Sequence, residues 1–348
     1  VSSRLKLRRG IVVSEEPLIV EVDGERRPAW ADTGLLGEMR ERDEVVVNVQ
    51  ALDLGLGSGG FDIVHVNLTQ GLQGGGEAGE HVMKLNYSPL QHAVDPVELR
   101  SGAVAGPNLG SRRDGPGAPT PVLVIPLHGH LAPASWAAAQ AVPGLRIGFV
   151  QAGGGALPGS LSRDVAELRE RGLLAGHVTA GPAYGGEQEA ISVAGALDAA
   201  TSTLGWDAVI AGPGPGIIGS ETRLGHGGIA ALDTAHAALA LGMRTLLSPR
   251  LSSGDPRERH RGVSHHTLTV MGLLLAEVEV PVPAGEAVVI AQLAEACGSQ
   301  HRLREATADI EGYAGSGLPS RTMGRNLAED RLFFAAPLAA GTALVTAK

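Results

Sequence analysis

Cysteine is almost missing from this chain. Cys297 is the one cysteine in 348 residues, so no intrachain disulfide can form and no cysteine-based zinc centre can be built. Aromatic residues are nearly as scarce, at 3%. The core must therefore be made of Val, Leu, Ile and Ala, and few rings are left to stack on bases, which argues against single-strand nucleic-acid binding. Basic tracts are missing too: the formal net charge is −9, and only the mildly basic start VSSRLKLRRG runs against it. Without a Lys/Arg-rich footprint no nucleic-acid partner is expected. No apolar stretch reaches the roughly 18 uninterrupted residues of a membrane-spanning helix. No leader pattern is recognisable, and a cytoplasmic location with no membrane association is expected. The nucleophile elbow GxSxG, the zincin motif HExxH and the phosphate loop GxxxxGK[ST] are all absent from the sequence. The commonest hydrolase, metalloprotease and ATPase readings lose their support with them.

What the chain does have is glycine, 50 residues of it, lying between apolar runs rather than in a repeat. That placement implies many tight turns and close backbone approaches. The length suggests about two domains. Residues 1–105 read as β-rich: GIVVSEE, PLIVEVDGERR, DEVVVNVQALDLGL, FDIVHVNL and HVMKLNYSPLQ are β-branched runs between Gly and Asp turns, with a hairpin signal at Asp23-Gly24. A small barrel protects so many short strands best. Residues 106–120, rich in Gly, Pro and polar residues, read as a linker.

From 121 the pattern changes. PVLVIPLHGH is an unbroken apolar run, as in a strand buried on both faces. Strands and helices then alternate through LRIGFVQ, SLSRDVAELRERGLL, HVTAG, EAISVAGALDAATSTLG, WDAVIAG, GGIAALDTAHAALALG, RTLLSPRL, HHTLTVMGLLLA and EVEVPVP. This is the grammar of an α/β domain over 121–284, with a mostly parallel sheet and helices on both faces. The tail, 285–348, is expected to pack back on the body.

Polar clusters fall at the predicted strand ends, where open parallel sheets bind ligands. His128 and His130 form an HxH pair closing the first α/β strand; alternation along a strand would project both imidazoles to one face. Ser160 and Ser162 are candidate caps, with Asp164 in the first turn of the helix after them. Glu187 and Glu189 are read as sitting near a helix start, satisfying its dipole. Gly214, Gly216 and Gly219 match GxGxxG after a strand, which opens a nucleotide-cofactor reading. No acidic residue follows at the next strand to hold a ribose, although Ser248 and Arg250 could accept a phosphorylated one. Arg223 and His226 lie in the same loop beside many free N–H groups and suit a phosphate or carboxylate.

The densest cluster is RHRGVSHHT, residues 259–267, with His260, Arg261, Ser264, His265 and His266. Ser264 fits a helix N-cap. Adjacent helical residues point about 100° apart, so His265 and His266 are not expected to face one ligand together. A metal would then take His265 with His128 and His130. One imidazole suffices as a proton carrier, and Arg261 with the helix start suits an anion.

The stretches LGLGSGGFDIVHVNL, HVMKLNYSPLQ, PLHGH, RERHRGVSHHTLT and TMGRNLAEDRLFF together resemble a bacterial family known as domain-of-unknown-function family 3866. The resemblance implies one architecture for the β-rich part and the α/β body, and it brings no established activity. It adds Arg325, Glu329 and Asp330 as candidates, or as salt bridges tying the tail to the body. The leading expectation is an enzyme that binds a small anionic molecule, with His128, His130, Arg261, His265 and His266 at the site and Gly214, Gly216 and Gly219 as its wall. The rival is a non-enzymatic sensor or assembly protein whose β-rich part binds a partner. A homodimer is expected because two-fold closure is the commonest assembly. The sequence names no cofactor.

Overall fold

The computed structural model describes residues 3–56, 59–76, 82–100 and 120–346. The expected linker at 106–120 therefore lies outside the described residues, apart from Thr120. The chain divides into two compact units, Val1–His81 and Val82–Lys348.

The first unit is a closed barrel of β1 (Leu7–Glu15), β2 (Leu18–Val22), β3 (Glu25–Trp30), β4 (Glu44–Asn48) and β5 (Asp62–Asn67), with short helices α1 (Thr33–Leu36) and α2 (Gln50–Asp53) in the connections. The strands close in the order β1-β2-β3-β5-β4, and all pairs are antiparallel except β3–β5. That is the order of a five-stranded Greek-key barrel of the OB type. The Asp23-Gly24 turn forms as expected. Both residues have positive φ, 51° and 83°, as a two-residue turn with the twist of its flanking strands demands. Alternating Val12, Val20, Val22, Val45, Val47 and Val64 fill the interior. Gly10 lets β1 pass close to β2, since a Cβ there would lie 2.5 Å from the Val20 side chain.

Residues 82–100 were grouped by sequence with the β-rich part, but they fall in the second unit. They form the hairpin β6 (Val82–Lys84) and β7 (His92–Val94) and the short α3 (Val97–Arg100). Lys84 anchors the hairpin. Its buried ammonium donates to the carbonyls of Thr179 and Ala183 and pairs with Glu189, which uses all three of its donors.

The rest of the second unit is built on an eight-stranded parallel sheet. In chain order its strands are β8 (Pro121–Val124), β9 (Ile147–Ala152), β10 (Gly176–Ala180), β11 (Gln188–Ala190), β12 (Ala208–Pro213) and β13 (Arg244–Leu247), and after a small antiparallel pair, β14 (Leu251–Ser252) and β15 (Gly262–Val263), β16 (Glu279–Pro283) and β17 (Arg302–Ala306). The spatial order is β11-β10-β9-β12-β8-β13-β16-β17. Its helices are α4 (Leu131–Ala141), α5 (Arg163–Glu170), α6 (Val193–Ser202), α7 (Ala230–Ala240), α8 (His265–Leu273), α9 (Ala287–Cys297), α10 (Ile310–Gly315) and α11 (Arg331–Val345). Successive strand residues point to opposite faces. Val122 and Val124 pack with α6 to α9, while Leu123 and Ile125 pack with α4, α5, α10 and α11.

The tail, 285–348, is structural: β17 extends the sheet, and α11 lies buried against α4. Gly341 sets that spacing, because a Cβ there would come within 2.1 Å of the Ala134 carbonyl oxygen. Gly148 and Gly176 play the same part on β9 and β10, leaving room for the buried Trp206 indole. No helix among the described residues is long and apolar enough to cross a membrane.

A histidine and arginine nest at the C-terminal edge of the sheet

Because every strand of the sheet runs the same way, the loops after β8, β12 and β13 gather at one edge. The chain leaves β8 leftward to β9 and later crosses from β12 to β13 on the other side. This makes the β12-β8-β13 edge the switch point at which such sheets open a crevice.

Four histidines converge there from separate segments. His226 comes from the loop after β12. His260 lies in a 3-10 turn, Glu258–His260, in the loop between β14 and β15. His265 and His266 open α8, capped by Ser264, whose hydroxyl accepts from the His266 N–H. The His226 and His266 rings stack with centroids 3.7 Å apart and planes 8° apart. The His265 ring lies 4.4 Å from His266 and 5.0 Å from His260. The expected divergence of His265 and His266 is thus corrected. The 100° step fixes where the Cβ atoms point, but ring torsions carry the imidazoles back toward each other, and His260 and His226 close on them from outside the helix. Gly228 makes this approach possible. A Cβ there would sit 3.1 Å from His226 Nδ1 and 3.5 Å from His266 Nδ1.

The rings are held neutral. Burial pushes His260 down to about 3 with help from Arg250, and His266 down to about 2 with help from His226. Burial also lowers His226 and His265, reinforced by His265 and by Arg259 respectively. Nε2 of His265 is buried without a hydrogen-bond partner among the described residues, and the His226 ring has only the Arg223 backbone near enough to influence it by a hydrogen bond. His260 Nδ1 lies 2.7 Å from the Ser264 hydroxyl. One ring nitrogen from each of His260, His265 and His266 lies within 4.8 Å of the others.

Arg250 is the cation of the nest. Its Nη1 donates to His266 Nδ1 at 3.1 Å, and its Nη2 faces Asp255 at 3.4 Å. Its Nε is buried without a partner among the described residues, and burial lowers its pKa to about 10. The backbone N–H of Arg250 donates to Thr267 Oγ1, and its carbonyl accepts from Ser264 N–H, which locks the strand end to α8. Asp255 also takes Arg257 and Arg325. Burial opposes its ionisation, but these partners, Arg257 foremost, hold it well below the usual carboxylate range. Asp330, fully buried, accepts from Ser252 Oγ, Ser253 N, Gly254 N and Arg325 Nε. The TMGR…ED segment therefore does tie the tail to the body, and it does so beneath the nest.

Several expected members lie elsewhere. The HxH pair does not continue the strand, because β8 ends at Val124 and both residues sit in the 3-10 turn His128–His130. His128 Nδ1 donates to the Pro213 carbonyl, so Nε2 accepts from the Ser162 hydroxyl at 2.7 Å. His130 Nδ1 meets Ser248 Oγ at 2.8 Å, and its ring packs on Phe333. Of the three expected metal ligands, His265 alone belongs to the convergent group. Arg261 is exposed and donates to the Asp255 carbonyl, so the guanidinium at the imidazoles is that of Arg250. Arg223 is exposed as well. No helix opens within Gly214, Gly216 and Gly219, and α7 begins only at Ala230. Gly214 serves loop packing instead, since a Cβ there would strike the Ala156 carbonyl at 2.3 Å. Glu187 and Glu189 precede and belong to β11 rather than a helix start, and they pair with Arg169 and Lys84. Asp255 and its partner Arg257 are the members that the sequence does not single out. The position of Asp255 five residues after Arg250, in a loop bracketed by arginines, was the available signal.

The family model described as a protein of unknown function, DUF3866, matches residues 29–341, nearly the whole chain. The chain belongs to the DUF3866 family. The matched span takes in every residue of the nest, from His226 to Asp330. No curated protein and no solved structure matches the chain.

Proposed function

We propose that this DUF3866 chain is an enzyme that binds a small anionic molecule, carrying a phosphate or carboxylate group, at the β12-β8-β13 edge. The observation that carries the reading is the buried Arg250, with Nε unpartnered among the described residues, beside neutral imidazoles. Arg250 reaches its one carboxylate, Asp255, only at 3.4 Å and shares it with Arg257 and Arg325, and the four histidines add no charge. An uncompensated cation in a desolvated site is costly, and an anion hydrogen-bonded to Arg250 removes that cost. The neutral rings beside it supply the donors and acceptors with which a bound oxyanion can be oriented and protonated. The nucleotide reading gains nothing from the loop geometry, because its glycines open no helix. The test is calorimetric titration of inorganic phosphate and of a small dicarboxylate into the protein and into Arg250→Lys. Saturable binding weakened at least about tenfold by the substitution, as expected when one charge-assisted contact of about 1.5 kcal/mol or more is lost, supports the reading. Absence of binding, or equal binding by the variant, sinks it and leaves the assembly-protein reading.

A further inference from the structure

The same imidazoles point to a cation as well. We propose that His260, His265 and His266 form a site for a late first-row transition-metal dication such as Zn(II). This goes beyond the anion reading and stands on the imidazoles alone. Three observations agree. The three ring nitrogens already lie within 4.8 Å of one another. A tetrahedral ion with bonds of about 2.0–2.1 Å holds its nitrogens about 3.3 Å apart, so the set closes by about 1.5 Å at most. The broad second torsion of a histidine side chain allows that movement. The donor set is imidazole only, with no carboxylate or thiolate among the three, which suits Zn, Cu, Ni or Co and not Mg or Ca. Two of the three rings have a nitrogen to spare: His265 Nε2 has no partner among the described residues, and with Nδ1 donating to the Ser264 hydroxyl His260 Nε2 keeps its lone pair, as in a metal-bound imidazole with an outer hydrogen bond. His226, buried and stacked on His266, is the outer imidazole beside the three ligands.

Arg250 couples this site to the anion. A guanidinium only donates, so His266 Nδ1 must offer it a lone pair, and His266 Nε2 then carries the proton. Coordination through either nitrogen ends that arrangement. The metal takes the Nδ1 lone pair, or it takes Nε2 and moves the proton to Nδ1. Both outcomes free Arg250 Nη1. This part of the argument rests on the anion reading: the freed guanidinium and the metal would grip one anion between them, and the anion offsets their mutual repulsion.

The experiment is titration of Zn(II), and separately Co(II), into full-length protein stripped with EDTA. The expected results are one ion per chain with Kd below about 1 μM, Co(II) visible bands of a four-coordinate nitrogen site, and no binding of Mg(II). His265→Ala, at the least buried of the three ligands, and His260→Gln should each weaken Zn(II) at least tenfold with unchanged circular dichroism. His226→Ala should keep Zn(II) and weaken phosphate. Absence of saturable binding by the unmodified protein overturns the proposal, as does equal binding by the folded ligand variants. The Co(II) spectrum of the unmodified protein decides the matter if those variants do not fold. Zn(II) binding without phosphate binding would sink the anion reading alone, and the converse would sink the metal site alone.

Discussion

His130 allows a stability prediction with a definite sign. Its ring is fully buried, with Nδ1 on Ser248 and Nε2 unpartnered against Phe333. Burial, with Arg250 nearby, pushes its pKa down to about 3 from the ordinary 6.5. The folded protein keeps this ring neutral at any pH above about 3, whereas the unfolded chain protonates it below about 6.5. The unfolded state thus binds the extra proton between those limits, and stability falls as pH falls through that window. The slope for one such imidazole is roughly 1 kcal/mol per pH unit. His177, also pushed by burial to about 3, adds a second slope of the same sign. The perturbation is His130→Gln, followed by urea unfolding in EDTA between pH 7 and pH 4.5, read by tryptophan fluorescence. At pH 7 the variant should be less stable, by about 1–3 kcal/mol, for the disturbed contact with Ser248 and the lost ring packing. At pH 4.5 that gap should shrink by about 2–3 kcal/mol, because only the parent still carries the His130 slope. A gap independent of pH would refute the claim that this imidazole is sealed and neutral.

Three further outcomes are expected. Gly228→Ala should weaken phosphate severalfold and leave Zn(II) affinity and the urea midpoint nearly unchanged, because the new methyl would press on His226 Nδ1 at 3.1 Å but meet His266 Nδ1 at an ordinary contact of 3.5 Å. Gly148→Ala should destabilise by about 1–3 kcal/mol or more and shift tryptophan emission to the red, since its Cβ would lie 1.9 Å from the Trp206 ring. An unshifted emission would show that the indole does not fill that space. Asp330→Asn should cost about 3–5 kcal/mol of stability, because it leaves Arg325 short of a charge partner in a buried network. Phosphate affinity measured on the folded fraction should fall with it, as the loop carrying Asp255 loosens.

The fold was legible to the extent that it follows from local pattern. The unbroken apolar strand at 121–124 and the periodic helices gave the parallel sheet, and the β-branched runs gave the barrel. What sequence could not show was where a strand stops short of its motif. His128 and His130 looked like residues of a strand because PLHGH continues an apolar run, yet the strand ends four residues earlier and the pair belongs to a 3-10 turn. Residues 82–100 look like barrel strands from their local pattern, and the long-range bonds of Lys84, Glu98 and Arg100 reveal their place beside β10 and β11. The RHRGVSHHT stretch carries the sharper lesson. Helical spacing governs the directions of Cβ atoms, whereas a ligand site is made by ring nitrogens some 3–4 Å further out, on torsions that the spacing does not constrain. Two neighbours at a helix start can therefore meet, provided that other segments supply rings to pack them and a glycine leaves the space. Here His226, His260 and Gly228 meet those conditions, and all three lie outside the helix repeat. A histidine pair is therefore better judged by what the strand ends bring against it than by its own spacing. At this edge they bring two more imidazoles and the buried Arg250.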